Sequence, residues 1–354
     1  MSDSHLTRRQ FHRAAAAAGV AAGMAASATA RAADTSKILS YTPEMEYRRL
    51  GKTELMVSCV CLGGHWKRIQ VMKQDFDKNR RDVVTRCMER GINYIDACCR
   101  GEVLAYSKAL KGRRDQMYMA LSYCGKETRN PDYRTAAKLL ESFDSLLQEA
   151  GEEYTDLWRI TAFEPGGKHT YNTACEMVAA LEKAKKQGKA RHIGISSHDR
   201  RWFTMMVEQF PSIEVILFPY TAKTQKIPHG DGATGSKESL LDAVKRCDVG
   251  TFGIKPFASN SIFKGDSSPN SPHAEEDDRR ARLVLRYILV NKEITAPIPG
   301  LVSQHQVDNV AKAVTEYRTI DLAQEEKAEV HRIMDHAWAN LPPGYGWLRN
   351  WEYV

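Results

Sequence analysis

From about residue 58 onward, short apolar runs alternate with longer amphipathic stretches almost to the C-terminus. The runs fall at residues 58–62, 92–95, 117–121, 156–160, 190–195, 215–218, 250–254 and 296–299. Each is too short for a helix and lacks a polar face, which reads as a strand buried on both sides and hence as a parallel sheet. Between them, residues 103–110, 136–149, 173–186 and 238–246 carry apolar positions at helical spacing. Eight strand–helix units predict an α/β fold, a (β/α)8 TIM barrel. An open doubly wound sheet would need a glycine-rich phosphate loop after its first strand. Leu62-Gly63-Gly64-His65-Trp66 lacks that spacing. Residues 228–235 and 265–277, rich in Gly, Ser, Asp and Pro, read as loops on the C-terminal face, the second as a mobile cover. The aromatic tail at 342–353 reads either as packing on the barrel wall or as a lid over a pocket.

The pattern changes at the N-terminus. Arg8-Arg9 stands just before an alanine-rich run at 14–30, with small-residue cleavage points after Ala30 and Ala32. This is the form of a twin-arginine signal, addressing the chain through the twin-arginine export machinery to the periplasm. The division expected is a signal peptide at 1–32, a linker at 33–46 and one barrel domain at 47–354. Residues 1–32 hold four arginines against one aspartate, so three of the seven net positive charges belong to the leader and four to the mature chain. That balance is no footprint for nucleic acid, and no later run is apolar enough to span a membrane. Eight cysteines in an exported chain raise the question of disulfides. They are scattered without zinc-ribbon or iron–sulfur spacing, and Cys87, Cys175 and Cys247 read as small buried hydrophobes.

Several stretches resemble the aldo-keto reductases. They are residues 45–53 (MEYRRLGKT), 62–64 (LGG), 91–96 (GINYID), 109–115 (ALKGRRD), 188–196 (GKARHIGIS), 255–259 (KPFAS) and 298–300 (IPG). The resemblance runs through nearly the whole mature chain in order, and it implies a (β/α)8 barrel that reduces carbonyls with NAD(P)H. In that family a tyrosine gives a proton to the developing alkoxide, a lysine and an aspartate tune the tyrosine, and a histidine orients the carbonyl. Such tuning is needed because a tyrosine with pKa near 10 is a poor acid at neutral pH. Here only the aspartate stands, as Asp96. The tyrosine's place falls in Cys98-Cys99-Arg100-Gly101, the lysine's at Ser122 and the histidine's at Thr161.

On the cofactor side, the resemblance gives cofactor-binding roles to Tyr220, stacking on the nicotinamide, and to Ser196, Ser197, Lys255 and Gly300. The amide that holds the carboxamide is replaced by Leu217, and the loop 300–306 lacks the arginine or lysine expected for a 2′-phosphate. NADP is therefore not specified over NAD.

What replaces the tetrad is polar and reactive: His65, Asp96, Cys98, Cys99 and Tyr123 are the candidate catalytic residues. Each follows a strand's C-terminal end, where barrel sites are built. His65 or Tyr123 would take the acid–base role, oriented by Asp96. Cys98 and Cys99 read either as buried fillers or, beside Arg100, as thiolates. Ser197-His198-Asp199 reads as a helix cap or as site residues. Lys255, ending a buried strand, needs an anionic partner, and Arg159 could point to either face of its strand. The leading expectation is an exported oxidoreductase acting with NAD(P) on a small polar carbonyl or hydroxy compound such as a sugar. Against it stand a non-redox barrel enzyme, metal-assisted or not, and a binding protein without catalysis.

Overall fold

The structure, a computed structural model, describes residues 34–64, 75–162, 170–224, 239–266 and 270–351. The chain divides into two compact units, Met1–Lys37 and Ile38–Val354. Of the first, only Asp34 to Lys37 are described, with Thr35–Lys37 as a 3-10 turn, so the expected signal peptide lies outside the described residues. In the second, Ile38 and Met45 of the expected linker are buried, and Tyr47 Oη accepts a hydrogen bond from the Thr42 backbone N–H.

An antiparallel pair, β1 (Tyr47–Arg49) and β2 (Met56–Ser58), opens the unit. Eight parallel strands follow: β3 (Leu62–Gly63), β4 (Tyr94–Ala97), β5 (Tyr118–Leu121), β6 (Thr155–Thr161), β7 (Ala190–Ser196), β8 (Val215–Pro219), β9 (Gly250–Ile254) and β10 (Ala296–Ile298). Each pairs with its sequence neighbours. The seam between first and last is drawn together by Cys61 N–H to Pro297 O and Gly63 N–H to Pro299 O, at 3.0 and 2.8 Å. Gly63 is required there, because a Cβ would stand 2.8 Å from the Ile298 side chain. The run at 58–62 is thus not one strand: it joins the end of the hairpin to the first barrel strand.

Among the described residues nine α-helices accompany the strands: α1 (Phe76–Glu89), α2 (Arg100–Leu110), α3 (Ala136–Ala150), α4 (Tyr171–Lys186), α5 (Arg200–Gln209), α6 (Leu240–Arg246), α7 (Ala274–Leu289), α8 (Gln304–Thr319) and α9 (Gln324–Ala339). Local chemistry sets their starts. Asp75, Thr135, Thr170, Ser239 and Ser303 each accept a backbone N–H from the first turn.

Strand alternation sorts the core into two regions. Leu50, Val57, Tyr94, Tyr118, Leu157, Leu217 and Phe252 fill the barrel interior, with the Tyr94 and Phe252 rings stacked at 4.4 Å. A larger apolar layer separates sheet from helices and holds Trp158, stacked on Phe143 at 4.1 Å. Above the interior residues, toward the strands' C-terminal ends, the inward positions become charged.

Candidate functional site

Two side chains face one another at that level. Asp96 stands two residues beyond Tyr94 on β4 and Arg159 two beyond Leu157 on β6, so both inherit an inward direction. Arg159 Nε and Nη2 donate to the two Asp96 carboxylate oxygens, both at 2.6 Å, and the residues are 2% and 4% exposed. Burial opposes the charge on Arg159, and the Asp96 carboxylate more than offsets it, holding the guanidinium well above its ordinary range. Burial pushes the Asp96 carboxyl up, and the same guanidinium pulls against it. A planar fork meeting a carboxylate at two points is the strongest geometry available to such a pair. The cation beside Asp96 therefore comes from β6, whereas the resemblance placed a lysine after β5.

The third guanidinium nitrogen reaches a cluster of hydroxyls. Nη1 donates to Thr161 Oγ1 at 2.9 Å and to Ser196 Oγ at 3.1 Å. Thr161 Oγ1 lies 2.6 Å from Ser122 Oγ, which donates to Glu127 Oε2, also at 2.6 Å. Glu127 takes two backbone N–H bonds as well, from Thr161 at 2.7 Å and Tyr123 at 2.9 Å. Its carboxyl is only 1% exposed, and burial raises it above the usual carboxylate range against the pull of those donors. Ser122 and Thr161 thus link a buried carboxyl to the cavity.

The cavity, about 440 Å³, opens over this cluster at the strands' C-terminal ends. Asp96, Cys98, Arg159, Thr161 and Ser196 line one end. Cys98 Sγ sits 3.9 Å from Arg159 Nη1 and 3.7 Å from Thr161 Oγ1. Cys99 is the N-cap position of α2, with its thiol pushed up to about 12 by burial and then by the Glu102 charge. The expectation that Arg100 favours a thiolate here is not met. Arg100 is turned to Glu149 on α3, forming a two-point ion pair whose Nε–Oε2 contact is 2.7 Å.

Of the other candidates, Ser196, Lys255 and Gly300 line the cavity. Ser197 is buried beside it, its Oγ accepting the Asp199 N–H. Tyr123 has the opposite parity to inward Ser122, packs with the outer layer and lies against Lys126. Tyr220 likewise faces outward: its hydroxyl accepts from Asn291 and its ring packs among the helices, so the structure does not bring it to the cavity. His65 lies outside the described residues, as does Trp66 beside it. No three His, Cys, Asp or Glu side chains converge in a metal-binding arrangement among the described residues. Arg159 was ambiguous in sequence and Glu127 carried no pattern that marked it.

The far end of the cavity is built mainly from backbone. Gly300, Leu301, Val302 and Ser303 lead into α8, whose first-turn N–H groups and dipole favour an anion. Opposite them Lys255, Ala258, Ser259 and Asn260 all hold left-handed φ between 47° and 68°. Non-glycine residues adopt this conformation at a cost of order 1–3 kcal/mol each, which concentrates at functional sites. A left-handed run of this kind forms a concave turn suited to an anion. Lys255 Nζ lies over the Tyr345 and Trp347 rings, 5.5 and 5.8 Å from their centroids, and burial lowers its pKa. Both tail aromatics line the cavity, and Trp347 stacks on His198 at 3.9 Å. Buried Leu348 anchors the tail, which accordingly serves as both wall packing and cover. This end fits the diphosphate of a dinucleotide; Ser303, Lys255, Ser259 and Asn260 are the residues that would hold it.

A parallel eight-stranded barrel with one charged cavity at its C-terminal mouth defines a class of barrel enzyme. The Aldo/keto reductase family matches residues 61–333, and the chain belongs to that family. An L-galactose dehydrogenase of Arabidopsis thaliana is 27% identical over 316 residues, covering 82% of this chain and 95% of that one. An aldo-keto reductase from Bacillus halodurans in its holo form superposes with a TM-score of 0.61 at 21% identity, over 85% of this chain and 99% of that one. One from Klebsiella pneumoniae, in complex with NADP and acetate, gives 0.58 at 18% identity, over 81% and 95%.

Proposed function

We propose that this protein is an NAD(P)-dependent oxidoreductase that interconverts a hydroxyl and a carbonyl on a small polar compound of the sugar class. The observation that carries the reading is the cavity itself. An anion-favouring backbone end and a charged, hydroxyl-rich end meet at the mouth of this family's barrel. The similarity to a protein named L-galactose dehydrogenase supports a sugar substrate, and the NADP complex of a structural neighbour supports the cofactor.

A bound nicotinamide supplies or takes up hydride; the chain's own residues do the rest. Arg159, held by Asp96, keeps one N–H-bearing nitrogen directed at the cavity, where it stabilises negative charge on the reacting oxygen. Thr161 and Ser196 fix that oxygen's position by hydrogen bonding. Tyr345 and Trp347 exclude water from above. Cys98 packs beside the reacting end.

Arg8-Arg9 and the alanine-rich run support export by the twin-arginine route to the periplasm, with residues 1–32 removed. Replacing Arg8-Arg9 by Lys-Lys should hold the protein in the cytoplasm, and fractionation of an exporting host measures this. The test of the activity is protein purified from that host, titrated with NADH and NADPH by fluorescence and assayed on L-galactose and a panel of aldoses. Failure to bind either nucleotide would sink the redox reading. One feature of the sequence favours a second: the resemblance puts the segment 98–101, Ser122 and Thr161 where the family keeps a tyrosine, a lysine and a histidine. By the resemblance the tyrosine's place falls within Cys98-Cys99-Arg100-Gly101 rather than at one residue, and this departure supports a non-redox enzyme of this scaffold, which would act on the same panel without nicotinamide.

A further inference from the structure

The proposed reaction needs a route for one proton, and the family's tyrosine is gone. We infer that Glu127, Ser122 and Thr161 form a proton relay that links the reacting oxygen in the cavity to a buried carboxyl. The inference rests on the oxidoreductase reading above.

The geometry is that of a wire. Thr161 lines the cavity, Ser122 Oγ lies 2.6 Å from its Oγ1, and Glu127 Oε2 lies 2.6 Å from Ser122 Oγ. All three side chains are at most 4% exposed, so water does not short-circuit the path. Polarity is fixed at the cavity end, because Arg159 Nη1 can only donate and Thr161 Oγ1 must accept from it. Thr161 is then free to donate toward Ser122, and Ser122 toward an ionised Glu127. Thr161 Oγ1 has two further contacts, Cys98 Sγ at 3.7 Å and Ser196 Oγ at 3.4 Å; the Ser196 contact is long for a hydroxyl pair and is the one a substrate hydroxyl would replace.

The balance closes. When an alcohol is oxidised, its carbon gives a hydride, with the C–H electron pair, to NAD(P)+. Its O–H bond breaks, and that proton passes to Thr161 Oγ1. Thr161's own proton moves to Ser122, and Ser122's to Glu127. The carboxyl ends neutral and returns its proton along the same hydroxyls to solvent after product leaves. Reduction runs the sequence backward. Burial, which raises Glu127, makes its carboxyl a better proton acceptor than an exposed one.

A purely structural role is the competing account, since Glu127 also holds the Tyr123 and Thr161 backbones. Ser122→Ala separates the two. It cuts the wire and leaves both backbone bonds of Glu127 in place. With NAD+ and L-galactose, then the aldose panel, both Ser122→Ala and Glu127→Gln should lower kcat by about a hundredfold. Combined, they should cost little more than either alone. Because the base must be ionised, wild-type activity falls as pH drops through the Glu127 pKa, at higher pH than an ordinary carboxyl would give. Both variants should lose that acidic limb. Infrared difference spectra of the protein without nucleotide give an independent reading. A buried carboxyl band should titrate above the usual carboxylate range, vanish in Glu127→Gln and shift in Ser122→Ala. Ser122→Ala with wild-type kcat and an unchanged acidic limb would overturn the relay. So would a Glu127 band indifferent to Ser122. If wild-type protein binds no nicotinamide, the functional reading fails instead, and the spectra still report whether the wire exists.

Discussion

The two ends of the cavity are built from different parts of the chain. The end that fits a dinucleotide's phosphates is made of backbone: the Gly300–Ser303 approach to α8 and the left-handed turn through Ala258, Ser259 and Asn260. The reacting end is made of side chains, and of the four catalytic side chains expected there only Asp96 stands. Main-chain N–H groups and helix dipoles persist through substitution as long as the fold does. A proton donor does not, since one residue change removes it. The phosphate-fitting end therefore depends on the fold, and the reacting end on individual side chains. Arg159 shows how the reacting end is repaired. Where the resemblance implies a lysine after β5, a guanidinium from β6 lies in a two-point contact with Asp96.

The sharpest way to break that comparison is to remove the repair. Arg159→Leu leaves Asp96 buried without its cation, which should cost about 3–5 kcal/mol of stability and abolish measurable turnover. The double change Asp96→Asn with Arg159→Leu removes both charges and should regain most of the stability while staying inactive. Urea unfolding of the two variants beside wild type measures it. A single Arg159→Leu variant as stable as wild type would mean that Asp96 carries no buried charge, and the repair would be illusory. The relay variants come next in size, acting chiefly on kcat.

The barrel was legible because eight apolar runs bounded by helical spacing admit few arrangements, and Asp96 because a carboxylate ending such a run needs a reason. Arg159 was not. Its inward direction depends on strand parity, and shifting the phase by one residue exchanges it with Trp158. The same parity misplaces Tyr123 and Tyr220: each follows a strand end in sequence, but on the outward phase, so proximity to the mouth did not bring them to the cavity. Glu127 was invisible for a different reason. It lies in an irregular loop, five residues past Ser122, where no periodicity predicts burial. The run at 58–62 hid a topological break, because the hairpin end and the first barrel strand are both apolar and adjacent.

A smaller effect sharpens the other end. The loop where a 2′-phosphate would be met carries Ser303, His305 and Gln306, and Asp277 and Asp278 line the cavity beside it. Asp278 Oδ2 is 2.6 Å from His305 Nε2, while both Asp277 oxygens accept backbone N–H groups of Lys264 and Gly265. A phosphate there would face carboxylates, whereas a ribose diol could donate to them. NADH should bind about tenfold more tightly than NADPH, a difference near 1.4 kcal/mol. Asp278→Asn should narrow that ratio by a few-fold, and so should raised salt, because the group is partly exposed. Fluorescence titrations at two ionic strengths decide it. Tighter NADPH binding by wild-type protein would place the 2′-phosphate elsewhere.

The smallest expected effect concerns the cysteines at the mouth, and it separates the two functional readings. A thiolate nucleophile needs its pKa lowered by a nearby cation or helix end. Cys99 shows the opposite, its thiol raised to about 12, and the adjacent Arg100 is engaged with Glu149. Cys98 does face Arg159, but at 3.9 Å, with that guanidinium already committed to Asp96 by its two shortest bonds. The Cys98 thiol therefore stands at the edge of the Asp96–Arg159 pair, beside the reacting end. Cys98→Ala combined with Cys99→Ala should leave kcat within about threefold of wild type, the range of a well-tolerated packing change. The rate should also be indifferent to added reductant. If a thiolate formed a covalent intermediate, the same change would cost on the order of a thousandfold. Loss on that scale, accompanied by turnover that needs no nicotinamide, would transfer the chemistry from the Asp96–Arg159 cluster to Cys98 and favour the non-redox enzyme.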